Sequence, residues 1–243
     1  MKYLVGANFK MNKTMKELQE YIDFFIEKYS CFLGVDVFIA PVTVALCEVS
    51  EIINESCINL GAQNMHYDHF GAYTGEVSPD MLQEINCKYV IIGHSERREL
   101  FNETNEIINK KVIAAIEHSI KPILCIGETL KQKELGLSKE ILKIQLIEGL
   151  DGVEDWNKVD IAYEPVWAIG TGLSATPKYI GEIHSFIRSV IGDNESRIIY
   201  GGSVKEENAE KIIKVPNVNG FLIGSASLDP QKFLNIIEKV VNN

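Results

Sequence analysis

The chain has 243 residues, 46% of them apolar, and its 34 acidic and 24 basic side chains leave a net charge of −10. That length and composition suffice for one substantial core. An acidic balance without any lysine- or arginine-rich run argues against a nucleic-acid surface or an anionic membrane as partner.

No stretch reaches the roughly 18–20 uncharged apolar residues of a bilayer span, and the opening MKYLVGANFK turns polar too soon to read as a signal peptide. The cysteines Cys31, Cys47, Cys57, Cys87 and Cys125 are odd in number and form no C-x-x-C pair. A reduced, cytoplasmic chain is the expectation.

Taken in order, short apolar runs of strand type fall at 3–7, 36–40, 58–62, 89–92, 122–126, 159–163, 198–200 and 220–223. Segments with helical spacing lie between them. The first, 15–29, puts Leu18, Tyr21, Ile22, Phe25 and Ile26 on one face. Others cover 105–118, 139–150, 178–191, 206–213 and 230–241. One strand and one helix per roughly 30 residues is the size of a β/α repeat. Near-continuous apolar strands belong to a parallel sheet covered on both faces. The fold expected is therefore α/β, a single-domain, parallel eight-stranded (β/α)8 barrel spanning 1–243. A doubly wound open sheet is the alternative that a strand count leaves standing.

In such a barrel the chemistry gathers where strands run into the loops that follow them. Strand 1 ends in Asn8-Phe9-Lys10, strand 4 in Gly93-His94-Ser95-Glu96-Arg97-Arg98, and strand 6 in Glu164. Small turns close strands 7 and 8, Gly201-Gly202-Ser203 and Gly224-Ser225. Each signal has a bland reading: a surface lysine, a structural histidine, a solvent-facing carboxylate, two tight turns. Their shared place at strand ends favours a site. Lys10 would be a fixed positive charge facing an anionic substrate. His94, beside a helix start capped by Ser95, would be held neutral and act as a hydrogen-bond donor. The two small turns would aim backbone N–H groups at a phosphate. Glu164 is followed by the apolar, glycine-containing PVWAIGTG, which reads as a base beneath a closing lid.

Two other patterns lead elsewhere. Gly170-Thr171-Gly172-Leu173-Ser174-Ala175 fits the dinucleotide fingerprint, but six residues separate it from its strand, where that motif should follow at once. His66-Tyr67-Asp68-His69 offers metal donors in a polar loop with no further ligand near in sequence, so a surface loop and no metal is the reading.

With these residues assembled, the chain resembles the triosephosphate isomerase family. The matching stretches are GANFKMN (6–12), GAQNM (61–65), GAYTGEVSP (71–79), IIGHSERR (91–98), CIGE (125–128), AYEPVWAIGTG (162–172), YGGSV (200–204) and GFLIGSASL (220–228). They lie in family order over nearly the whole chain. The resemblance implies a cofactor-independent, homodimeric, cytoplasmic enzyme of glycolysis and gluconeogenesis that interconverts dihydroxyacetone phosphate and D-glyceraldehyde 3-phosphate through an enediolate.

By residue, the resemblance implies Glu164 as the base, His94 as the electrophile and Lys10 as the supporting charge, with Asn8 in the same pocket and Glu96 behind it. Gly170, Ser203, Gly224 and Ser225 would cradle the phosphate. The loop 63–76 would join a second subunit, with Thr74 at its tip near that subunit's Asn8 and His94. Leu173 and Ser225 depart from the common pattern, which has lysine and glycine there; Ser225 would be strained if its position demanded a positive φ.

Two competing classes are another phosphate-binding barrel enzyme, such as an aldolase or a biosynthetic isomerase, and a catalytically silent barrel. An aldolase needs a Schiff-base lysine within the barrel, and no strand interior offers one. The second has no reason to keep Lys10, His94 and Glu164 together.

Overall fold

Strands such as Tyr89-Val90-Ile91-Ile92 are apolar on both faces, so neither face can be left in water. The computed structural model, which describes residues 2–168 and 174–243, resolves this by closing the sheet. Its strands are β1 (Tyr3–Asn8), β2 (Val35–Ala40), β3 (Ile58–Ala62), β4 (Tyr89–Ile92), β5 (Lys121–Ile126), β6 (Asp160–Tyr163), β7 (Ile198–Tyr200) and β8 (Gly220–Ile223). Each pairs in parallel with the next, and β8 returns to β1 with Gly220 opposite Leu4, closing the barrel. The eight strands expected from sequence are the eight observed, with ends displaced by a residue at most.

Around them lie α1 (Met15–Lys28), α2 (Leu46–Ile53), α3 (Pro79–Glu84), α4 (Ser95–Leu100), α5 (Asn105–Glu117), α6 (Leu130–Glu134), α7 (Ser138–Gly149), α8 (Pro177–Ile191), α9 (Glu206–Ile213) and α10 (Pro230–Val241). Periodicity missed α2, α3, α4 and α6, which have 8, 6, 6 and 5 residues and so repeat an apolar face twice at most. The start of α4 was read from Ser95, and two of the others carry start signals that were legible. Ser78 accepts the Met81 N–H ahead of Pro79 at the start of α3, and Thr129 forms a capping box with Gln132 at the start of α6.

The core has two parts. Inside the barrel, Leu4, Phe38, Tyr89, Ile91, Ile123, Cys125, Ile199 and Leu222 pack on one another. Between barrel and helices lies a larger shell to which α1 contributes Leu18, Tyr21, Ile22 and Phe25. Phe38 explains two glycines on the strands beside it. A Cβ on Gly6 would lie 2.1 Å from its ring, and one on Gly61 would lie 2.6 Å from it.

One expectation fails. Cys31 and Cys57 are joined in a disulfide, so the cysteines do not read as a fully reduced set. The two lie 26 residues apart in sequence, but each sits in a loop entering one of the adjacent strands β2 and β3, so the parallel pairing of those strands brings the loops side by side. Of the free cysteines, Cys47 is exposed while Cys87 and Cys125 are buried; burial pushes the Cys87 thiol up to about 12. Among the described residues, no helix is long and apolar enough to cross a membrane.

Candidate active site

The C-terminal ends of the strands surround a cavity of about 770 Å³ lined by Asn8, Lys10, His94, Glu164, Ser203 and Ser225, among others. Glu96 and Gly224 line it as well. Residues that were singled out at five separate strand ends thus meet at one place. Gly170 and Leu173 lie outside the described residues. Thr74 is exposed on its loop and lines neither this cavity nor the smaller one beside it.

Lys10 is held from its backbone outwards. Its φ of 52° is in the left-handed region, which costs a non-glycine residue about 1–2 kcal/mol. Two hydrogen bonds fix that turn: Lys10 N–H donates to Asn8 Oδ1 (3.0 Å), and Gln63 Nε2 donates to the Lys10 carbonyl (3.0 Å), Gln63 being itself held by a bond to the Ala40 carbonyl (2.9 Å). Asn8 is therefore a positioning group as well as a lining one, and Gln63 is a functional residue that sequence reasoning passed over. The ammonium reaches Glu96 Oε1 at 2.6 Å and runs beside Gly224, where a Cβ would touch its stem at 3.4 Å.

His94 follows Gly93, whose φ of 71° turns the chain from β4 into α4. The helix cap is His94 itself, not Ser95: its Nδ1 accepts the Glu96 N–H at 3.2 Å. That bond leaves Nδ1 as the acceptor nitrogen and puts the ring proton on Nε2. Nε2 lies 3.0 Å from Glu164 Oε1, while the Ser95 N–H donates to Oε2 at 3.0 Å. Both side chains are almost wholly buried.

Burial alone would raise the Glu164 pKa. The His94 ring, the Ser95 N–H and the Lys10 charge outweigh it and hold the carboxyl below its ordinary value, so it is ionised at neutral pH. For His94, burial opposes the charged form, but the charge and hydrogen bond of Glu164 prevail and raise its pKa. The expectation that His94 is neutral through the helix start alone is thus incomplete. The Glu96 N–H on Nδ1 favours the neutral ring, and the facing carboxylate pulls against it.

The small turns make room for this carboxylate. A Cβ on Gly201 would sit 2.9 Å from Glu164 Cγ, and one on Gly202 would sit 2.2 Å from the Tyr200 hydroxyl. Their smallness serves packing at the site as much as any phosphate. Ser225 opens a short 3₁₀ turn (Ser225–Leu228) and is not in the left-handed region, so serine carries no backbone penalty there.

Glu128, unremarked in the sequence, anchors the start of the lid segment. Its Oε1 accepts from Tyr163 Oη (3.1 Å), Trp167 Nε1 (2.9 Å) and Tyr179 Oη (2.9 Å). Only the CIGE stretch hinted at it.

Comparison with known proteins identifies the family. The family model described as triosephosphate isomerase matches residues 3–240. The triosephosphate isomerase of Aquifex aeolicus is 46% identical, covering 98% of this chain and 99% of its own. That of Carboxydothermus hydrogenoformans is 46% identical over 98% of each, and that of Dictyoglomus thermophilum 44% identical over 97% and 98%. The chain belongs to the triosephosphate isomerase family. It is an isomerase, and its activity is the family's interconversion of the two triose phosphates of glycolysis.

Proposed function

With the family as premise, we propose how the rim residues divide the work of interconverting dihydroxyacetone phosphate and D-glyceraldehyde 3-phosphate. Glu164 takes the proton from the carbon beside the carbonyl; the C–H electron pair forms the new C=C bond as the carbonyl π pair moves onto oxygen, giving an enediolate. His94 Nε2–H polarises that oxygen and passes a proton between the two enediolate oxygens. Lys10, steadied by Asn8 and Glu96, supports the negative charge. Glu164 then returns its proton to the neighbouring carbon. The step is proton transfer throughout and calls for no cofactor. A positioned base contributes roughly 10²–10⁴-fold, and a donor aimed at the oxyanion roughly 10²–10³-fold.

The observation that carries this reading is the buried contact of Glu164 with His94 Nε2 and the Ser95 N–H at the cavity wall. The carboxylate must leave those donors to reach substrate carbon, and substrate oxygen takes its place on Nε2. Gly170, Ser203, Gly224 and Ser225 are assigned to the phosphate, whose binding energy can drive closure of the lid. The test is a coupled assay with D-glyceraldehyde 3-phosphate. Glu164→Gln should lose about 10²–10⁴-fold in kcat while still binding 2-phosphoglycolate; turnover near wild type would remove Glu164 as the base.

We also propose a homodimer through the loop 63–76. Residues 69–76 are all exposed, including Phe70 at 74% and Tyr73 at 44%. Beside the main cavity a second one of about 320 Å³, lined by Met11, Gln63, Met65, Arg97 and Phe101, also reaches Lys10 and His94. The second subunit's Thr74 would enter there. Sedimentation as a dimer at micromolar concentration is expected, and a stable monomer would overturn the assignment. A cytoplasmic location is proposed on the glycolytic role alone, since the Cys31–Cys57 bridge removes the support once drawn from the cysteines.

A further inference from the structure

Outside both cavities, three ligand-bearing side chains from separate elements converge. His69 comes from the loop before α3, Asp80 from the first turn of α3, and His118 is the C-cap of α5. His69 Nδ1 lies 3.2 Å from Asp80 Oδ2, His118 Nε2 lies 3.3 Å from His69 Nδ1, and His118 Nε2 lies 3.5 Å from Asp80 Oδ2. In a tetrahedral site with metal–ligand bonds of about 2.0–2.1 Å, any two donor atoms stand about 3.3–3.4 Å apart. The three donors therefore already form one face of such a tetrahedron.

Two further observations point the same way. His118 Nδ1 is 2.7 Å from the Ala114 carbonyl, so Nδ1 carries the proton and the Nε2 lone pair is aimed into the cluster. A backbone carbonyl fixing the far nitrogen is the usual support of a metal-bound imidazole. Asp80 Oδ2 is buried and, among the described residues, receives no hydrogen bond, which is costly for a carboxylate oxygen unless a cation meets it. His118 is buried while His69 is exposed, so the fourth position opens outwards, where water can complete the set.

We propose that His69, Asp80 and His118 bind a divalent transition-metal ion, with Zn²⁺ the best match to two imidazoles, one carboxylate and tetrahedral spacing. The ion clips the loop 63–76 to the end of α5. It takes no part in the proton transfers at the rim, since none of its ligands lines either cavity there. Sequence separation hid the site: His66-Tyr67-Asp68-His69 offered a candidate ligand, but its partners lie 11 and 49 residues further on.

The experiment uses chelator-treated full-length protein carrying Cys47→Ser, so that the exposed thiol cannot compete. Titration with Co²⁺ should give one equivalent per chain and the intense visible bands of a four-coordinate ion, displaced by Zn²⁺. Zn²⁺ at about a hundredfold over its Kd should raise Tm by roughly 5–10 °C. His69→Ala should weaken binding more than about tenfold and abolish the bands, while its metal-free Tm stays that of the parent. Asp80→Asn should do the same, and if that variant fails to fold, His69→Ala alone decides. The proposal is overturned if the parent binds no saturating equivalent, or if His69→Ala binds as tightly as the parent. In the first case the cluster is a hydrogen-bonded triad; in the second the ion sits elsewhere.

Discussion

The two ends of the barrel each bury a group of charges, and they do so to opposite effect. At the N-terminal end, the Arg197 side chain donates to Asp160 Oδ2 from Nε (3.0 Å) and Nη2 (2.6 Å), and to Asp36 from Nη1 (2.8 Å). The Arg197 N–H donates to Asp160 Oδ1 at 3.1 Å, and Lys121 stands 3.5 Å from the same oxygen. Burial works against the guanidinium charge, but Asp160 more than restores it and the pKa lies above the ordinary value. Every charge there is met from fixed directions. At the C-terminal end, Glu164 has two donors, one of them a histidine whose other nitrogen is already engaged by the Glu96 N–H, and Lys10 stands on a strained backbone. A saturated cluster has nothing left to offer a substrate. A carboxylate whose partners can be exchanged does, and low dielectric amplifies both conditions.

Exchanging the roles of the two ends gives the sharpest contrast. Glu164→Gln removes a buried charge; its amide oxygen can accept from one of the two donors while its NH2 faces the other, so its large loss of kcat should come with only a modest fall in Tm. Arg197→Ala should do the reverse. It strands Asp160, fully buried, and removing one member of a buried pair costs about 3–5 kcal/mol. For a chain of this size that lowers Tm by roughly 6–20 °C, while turnover per folded molecule at 25 °C is unchanged. Thermal unfolding followed by circular dichroism, with the coupled assay alongside, reads both. An unchanged Tm in Arg197→Ala, or a fall in its kcat, would show that the two ends are not separable in this way.

How much of this was legible in the sequence differs between the same two ends. The strands were read to within a residue because each is a dense apolar run. The rim residues were found because polar groups break those runs at their C-terminal ends. Asp160 and Arg197 escaped notice because they sit at the start of or just before apolar strands, where a charge looks like a loop residue, and their pairing depends on β6 and β7 being neighbours. The disulfide and the His69–Asp80–His118 cluster were hidden for the same reason: each joins segments that only the pairing and packing of separate elements makes adjacent. His94 was read correctly as lying at a helix start, but its meeting with Glu164 crosses the barrel between residues 70 apart, and no local pattern encodes it. Chemistry written into one strand end is legible locally; chemistry shared between strands is not.

A third buried ionisable group, belonging to neither end, completes the comparison because it has no counter-charge at all. His184, on α8, is fully buried against the rings of Tyr163 and Tyr200. Its Nδ1–H donates to the Asn217 carbonyl at 3.0 Å, and Nε2 has no hydrogen-bond partner among the described residues. Burial dominates, with the Arg188 charge adding to it, and lowers the pKa from 6.5 to about 4. Between those values the unfolded chain holds a proton that the folded chain refuses, so stability rises with pH across the window. It is lost as pH falls from 6.5 towards 4, by up to about 3 kcal/mol. His184→Asn keeps a donor near the Asn217 carbonyl without a titrating ring. Unfolding free energies of the two proteins, measured by denaturant titration at half-unit steps from pH 7.5 to 4, should run parallel above pH 7 and diverge below it, with wild type losing more. Parallel curves throughout would mean that His184 gains its proton in the fold as easily as in the unfolded chain, and that burial without a partner does not by itself set protonation in this barrel.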